Sequence, residues 1–315
     1  MKKLLVIGGS YFAGRVFVEL LTPLARYDIT VFNRGRISMG MPTVAEIKGD
    51  REIGEQVAQR IPGVHWDVVV DFCGYAPGEI HALLDNISGT IGHYVFISTT
   101  SVYDPFAPVP VVETAPKVHA PQPGLGQYAD YGYQKWLSEG AVDTICREKA
   151  IPYTILRPAI IYGRYNYAPR ESVFFDHAIT GQPLMVPEDP NIFYSFVWVD
   201  DMAQMLIAGL ENQLLYGKAY NVASAAALSY NTLADVVEEV TGRLIRRQPV
   251  SMHEIIRKQL PMPFPPDLHL LYDGTQLNDV LSYTHTPFPI GMAHTWDSYQ
   301  EVLKRKQSRT QGDGS

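Results

Sequence analysis

The sequence predicts an α/β fold built on a doubly wound parallel sheet, with a smaller loop-rich region attached. Three observations carry this. Short apolar runs alternate with longer amphipathic ones; the runs are continuously apolar, as in strands covered on both faces; and a glycine-rich turn stands at the first strand-to-helix junction. Leu4–Ile7 reads as the first strand and Gly14–Leu21 as the first helix. Ile29–Phe32, a weaker Val44–Ile47, Val68–Val70 and Tyr94–Ile97 follow as strands bounded by turn residues. A long helix covers Asp130–Ala150, with Leu137, Ala141 and Ile145 recurring at four-residue spacing and Ile151-Pro152 ending it. Thr154–Leu156 and Phe196–Val199 are further strands. Asp200 is the expected N-cap of a helix that turns Met202, Met205 and Leu206 to one side, and Asn231–Thr241 is a helix stopped by Gly242. Strands alternating with helices at this spacing make parallel α/β architecture.

The 315 residues fit about two domains at roughly 100–200 residues each. The expected sheet domain spans 1–162 plus about 194–223. Segments 163–193 and about 224–305, with stretches rich in Pro, Tyr and Phe at 163–193 and 245–292, form the expected substrate-binding region, and polar 306–315 a disordered tail. With 26 basic against 33 acidic residues the formal charge is −7, which disfavours a nucleic-acid partner. Two cysteines, Cys73 and Cys146, exclude a disulfide scaffold and fit a reducing cytoplasm. No His or Cys stands at metal-ligand spacing, so no metal is expected, and His65, His81 and His93 read as surface or turn residues. Leu4–Ile7 is too short for a signal core of ~7–15 residues, and no run approaches the ~18 apolar residues of a membrane span.

Gly8-Gly9-Ser10-Tyr11-Phe12-Ala13-Gly14 lies where a Rossmann-type sheet docks a dinucleotide pyrophosphate on backbone N–H groups at a helix N-terminus. Gly8 permits the tight turn, Gly9 keeps the approach open and Gly14 lets the helix pack closely. At the end of the second strand an NAD-selective site places Asp or Glu; here stand Asn33 and Arg34. No carboxylate repels a 2′-phosphate, and Arg34 offers it a planar fork, so NADP is favoured and NAD is the other option. The plain alternative is that Arg34 and Arg36 form a solvated loop. After the third strand, Asp50, with Arg51 beside it, either meets the adenine amine or makes a simple turn.

Tyr131 and Lys135 are an i, i+4 pair on the long helix and share a face. An ammonium beside a phenol favours the phenolate and lowers a pKa otherwise near 10, which suits general acid–base work. Ser98–Tyr103 ends a strand upstream, where a hydroxyl can bond a substrate oxygen.

Together these motifs resemble the short-chain dehydrogenase/reductase superfamily, in its extended branch of NAD(P)-dependent epimerases and dehydratases, over about residues 3–290. Ala129–Lys135 resembles the tyrosine–lysine helix and Phe96–Tyr103 the serine/threonine strand. Leu156–Gly163, Phe196–Ala203 and Tyr272–Thr275 resemble later signatures. The resemblance implies hydride transfer at a sugar-like alcohol or ketone carbon, as an epimerase or a reductase. Thr99, Tyr131 and Lys135 would be catalytic, Lys135 would also hold the nicotinamide ribose, Cys73 would pack beside the cofactor, and a homodimer would form. The implied substrate is a small molecule, a sugar or sugar nucleotide. Thr100 and Ser101 replace the Asp-Glu pair of dehydratases, which disfavours dehydration. Tyr194 lies where many epimerases carry a phosphate-binding arginine, leaving Arg164, Arg170, Thr100 and Tyr194 itself as candidate substrate contacts. The atypical glycine turn resembles a subgroup that includes chloroplast stem-loop RNA-binding proteins. A catalytically silent NADP-binding regulatory or RNA-binding protein is therefore the competing reading, opposed by the acidic charge and the complete triad.

Overall fold

The computed structural model describes residues 1–312. In chain order the strands are β1 (Lys2–Ile7), β2 (Tyr27–Asn33), β3 (Ala45–Lys48), β4 (Val64–Trp66), β5 (Val68–Asp71), β6 (Gly89–Ile91), β7 (Tyr94–Ile97), β8 (Tyr153–Pro158), β9 (Ile160–Tyr162), β10 (Leu184–Pro187), β11 (Tyr194–Trp198), β12 (Lys218–Val222), β13 (Ala227–Leu228) and β14 (Arg247–Val250). The helices are α1 (Phe12–Leu21), α2 (Gly54–Arg60), α3 (Pro77–Leu84), α4 (Tyr131–Glu148), α5 (Glu171–Thr180), α6 (Val199–Gly209), α7 (Tyr230–Thr241), α8 (Met252–Lys258), α9 (Thr275–Leu281) and α10 (Phe288–Gly312).

Seven strands form the main sheet in the order β12-β8-β7-β5-β1-β2-β3, every pairing parallel. The order reverses between β1 and β5, so a crevice opens at the carboxyl ends of those strands. Successive side chains of a strand face opposite ways, and β1 shows why its run is continuously apolar. Leu4 and Val6 pack with Phe17 of α1 and Met202 and Met205 of α6, while Leu5 and Ile7 pack with Val57 of α2, Leu83 of α3 and Ile145 of α4. The predicted doubly wound sheet is therefore present.

After β8 only β12 rejoins this sheet. β9, β11 and β13 form a small separate sheet, and β10 pairs with β14. Its core is aromatic, with Phe174, Phe175, Tyr194, Phe264 and Trp296 buried together. Phe196–Val199 thus belongs to this second body rather than extending the main sheet, while α6 turns back onto the main sheet beside α1. Asp200 is not the N-cap of α6: Trp198 is, without a side-chain bond, and Asp200 sits in the first turn bound to Arg164 at 3.1 Å. The segment expected to be a disordered tail continues α10 to Gly312, and 313–315 lie outside the described residues.

His93 is fully buried rather than at the surface. Its Nδ1 accepts from the Glu211 N–H at 3.1 Å, so Nε2 carries the proton toward the Thr154 hydroxyl at 2.9 Å, and no site remains for a second proton. Burial pulls its pKa down from 6.5 to about 4. The unfolded chain then binds a proton that the folded chain refuses, so stability rises with pH between about 4 and 6.5 and is lost on acidification through that window. Urea unfolding on both sides of the window should show a loss of roughly 3 kcal/mol on the acid side, and His93→Gln should flatten it.

Candidate active site

The glycine turn at the carboxyl end of β1 is sterically committed. Gly8 and Gly9 have φ of +86° and +70°, and a Cβ on Gly9 would lie 2.4 Å from Val6 Cγ1. A Cβ on Gly14 would lie 2.5 Å from Gly9 Cα, so Gly14 closes α1 onto the turn itself. α1 starts with no side-chain cap, which leaves its first N–H groups directed into the crevice mouth beside Ser10, Tyr11 and Phe12. An uncapped helix start behind a turn with no room for side chains fits a pyrophosphate.

At the end of β2, Asn33 Oδ1 accepts from the Gly35 N–H at 2.6 Å, and its amide nitrogen is buried without a partner. Arg34 is exposed. Asp50 caps its own turn, accepting from the Glu52 N–H at 3.1 Å. Arg51 does not face the crevice. The residue is 6% exposed, and its guanidinium pairs with Asp71 and donates to the Glu79 carbonyl at 3.0 Å. Asp71, fully buried at the end of β5, also takes the Tyr94 hydroxyl at 2.6 Å and the Cys73 N–H at 3.0 Å; a buried carboxylate requires such partners. Burial first, then Asp71, pushes the Cys73 thiol up to about 11, so Cys73 packs under Gly8 and is no nucleophile.

Thr99 and Tyr131 come together because Gly132 lets α4 approach the strand end: a Cβ there would lie 2.2 Å from the Ser101 carbonyl oxygen. The Thr99 side chain holds its own turn by accepting from the Ser101 N–H at 3.1 Å. Tyr131 is 37% exposed, yet crowding around its hydroxyl pushes its pKa up; the Thr99 hydroxyl pulls it back, Tyr167 pushes it up and Arg170 pulls it down. Lys135 lies one turn further along and is 2% exposed. Its ammonium donates to the carbonyls of Gly74 and Ile97 at 2.6 and 2.7 Å and sits 4.1 Å from the centre of the Phe96 ring. Burial pulls its pKa down to about 8, against Asp71 and Glu139, which raise it. The expected lowering of the Tyr131 pKa by Lys135 is thus not found: the ammonium spends its donors on carbonyls at the strand ends, and desolvation dominates at the phenol.

Three of the four candidate substrate contacts face elsewhere. Thr100 is buried and donates to the Pro158 carbonyl at 3.3 Å. Arg164 ties Glu19 of α1 at 2.5 Å to Asp200 of α6. Tyr194 is wholly buried, its hydroxyl on the Pro265 carbonyl at 2.6 Å. Each satisfies a buried polar group, which one sequence cannot reveal. Arg170 stands just before α5, and its charge acts on the Tyr131 phenol, favouring the phenolate. Sequence reasoning passed over Asp71, Gly132, Tyr167 and Tyr75, whose ring centre lies 5.7 Å from the Lys135 ammonium. Only Asp71, closing the run Val-Val-Val-Asp, and Gly132, inside the Tyr131–Lys135 motif, left a readable signal.

The model of the NAD dependent epimerase/dehydratase family matches residues 4–223. Over 257 residues the chain is 24% identical to the chloroplast stem-loop binding protein of 41 kDa b of Arabidopsis thaliana. That match covers 76% of this chain and 64% of the relative, so the chain spans less than two thirds of its length. The fold is similar to that of the UDP-glucuronic acid 4-epimerase of Bacillus cereus, solved with UDP-glucuronic acid and NAD (TM-score 0.74, 17% identity, 95% and 99% of the two chains). It is also similar to that of the UDP-glucose 4-epimerase of Thermotoga maritima, solved with UDP-glucose (TM-score 0.73, 18% identity, 96% and 99%).

Proposed function

The chain belongs to the NAD dependent epimerase/dehydratase family, and on that footing we propose that it is an NAD(P)-dependent oxidoreductase or epimerase acting at an alcohol or ketone carbon of a sugar-like substrate. The observation that carries this reading is the close approach of α4 to the Thr99–Ser101 strand end at Gly132, which puts Tyr131 beside it and Lys135 one turn behind, next to an uncapped glycine turn. The dinucleotide, held by the Gly8–Gly14 turn, supplies or accepts the hydride. Tyr131 exchanges the proton on the substrate oxygen, and Thr99 donates a hydrogen bond to that oxygen. The raised Tyr131 pKa keeps the phenol protonated at neutral pH, which suits it to donate when a carbonyl is reduced. Lys135, held here on the Gly74 and Ile97 carbonyls, would in the family's role also hold the nicotinamide ribose. With Thr100 buried and no carboxylate at 100–101, dehydration is disfavoured. Arg170 is the candidate partner for a substrate anion.

NADP is preferred in this reading, because Asn33 and Arg34 stand where a ribose-binding acid would. Arg34→Ala should weaken NADPH binding roughly ten- to a hundredfold, as loss of a charge-assisted pair does, and leave NADH binding unchanged. Titration of both dinucleotides by fluorescence reads this directly. Denaturing the purified protein and identifying any released nucleotide tests the reading as a whole. Binding of neither dinucleotide sinks it, and binding without turnover of any carbonyl or sugar nucleotide would favour the catalytically silent alternative.

A further inference from the structure

The segment between β9 and α5 folds back over the first turn of α1, and its contacts there are specific. The Tyr167 ring stacks on Tyr11 with centroids 5.4 Å apart and meets Phe12 edge-on at 6.0 Å. Two residues earlier, the Tyr165 hydroxyl donates to Glu19 at 3.0 Å and the Arg15 guanidinium covers its ring at 5.3 Å. Arg164 completes the attachment by bridging Glu19 and Asp200. Tyr11 and Tyr167 remain 48% and 68% exposed, so their stack lies over the mouth of the crevice and not in the core. It sits on the two residues, Tyr11 and Phe12, that open the uncapped helix start.

We propose that Tyr167 is a cofactor-retaining residue. Stacked on Tyr11, it forms a clasp across the pyrophosphate position, and the Glu19–Arg164–Tyr165 attachment keeps the clasp shut. A ligand bound on the first N–H groups of α1 can leave only after this segment lifts. The inference rests on the dinucleotide reading above and sharpens it: a chain that holds its dinucleotide under a clasp is built to keep it between turnovers. An epimerase, which oxidises and re-reduces on one cofactor, needs that; a reductase, which exchanges the cofactor every cycle, is slowed by it. Tyr11, inside the Gly8–Gly14 turn, is then the clasp's lower half.

The test is the release of NADPH (or NADH, whichever binds more tightly) from the full-length protein, followed by its fluorescence after a chase with excess oxidised dinucleotide. Loss of one aromatic stack should speed release by roughly tenfold in Tyr167→Ala, while Tyr167→Phe, which keeps the ring, releases as slowly as the parent. Glu19→Gln, which loosens the attachment and leaves the stack, should also speed release. Unchanged thermal midpoints show that the fold is intact. If NADPH and NADH bind but Tyr167→Ala releases them at the parental rate, the clasp is wrong and the dinucleotide reading stands. If neither binds the parent protein, both fall together.

Discussion

Replacing Tyr131 by Phe is expected to lower turnover by about 10²–10⁴-fold, the range typical of a removed general acid, with dinucleotide affinity unchanged. The two effects separate because the phenol oxygen and the cofactor contacts lie on different elements: the hydroxyl opens α4, while the pyrophosphate position belongs to α1. Tyr131→Phe is a cleaner probe than any change at Lys135, whose loss would strand the Gly74 and Ile97 carbonyls at a buried strand end. In the parent, turnover in the carbonyl-reducing direction should fall as pH rises through about 8. There Lys135, charged below that value, gives up its proton. The raised Tyr131 pKa predicts no competing loss from the phenol in the same range. Steady-state rates on a panel of sugar nucleotides and simple ketones, with cofactor binding measured in parallel, decide the matter. Near-parental turnover in the Phe variant removes Tyr131 from the chemistry.

The main sheet was legible because burial on both faces leaves a mark that needs no tertiary information: a run such as Leu4–Ile7 is apolar at every position. The glycine turn was legible for a similar reason, since crowding of the kind that places Val6 and the α1 backbone around Gly9 admits no side chain. The interior polar groups were not legible. Arg51, Arg164 and Tyr194 are residue types that bind ligands as readily as they satisfy buried carboxylates and carbonyls, and which they do depends on partners far away in sequence. Arg51 reaches Asp71, and Arg164 reaches back to Glu19. The i, i+4 spacing of Tyr131 and Lys135 was read as an electrostatic pair, yet spacing fixes only a shared face. Where the ammonium points was settled by two carbonyls on other elements. Tyr167 left no signal at all, because a stacked surface aromatic is indistinguishable in sequence from a loop residue.

Arg157→Met should be the most destabilising single change considered, by ~3–5 kcal/mol, as for removal of one partner of a buried ion pair. The Arg157 side chain, on β8, binds Glu139 of α4 through Nε and Nη2, the latter at 2.6 Å, and both groups are about 95% or more buried. Met fills similar space but leaves the Glu139 carboxylate in the interior with the Ser98 hydroxyl, 2.5 Å away, as its remaining side-chain partner. It also strips the Tyr103 hydroxyl of a donor at 2.9 Å, although that hydroxyl keeps Asn221. The cost is desolvation of an orphaned charge, not loss of attraction, so removing both charges should cost less than removing one: Arg157→Met with Glu139→Leu should recover a large part of the loss. Glu139 follows Tyr131 and Lys135 at the next four-residue step of α4, and Ser98 precedes Thr99, so the pair also fixes the helix and strand that carry the proposed catalytic groups. Urea unfolding of the single and double variants reads the energies. A single variant that loses only about 1 kcal/mol would mean that water reaches Glu139, and that the pair clamps α4 to β8 less than its burial implies.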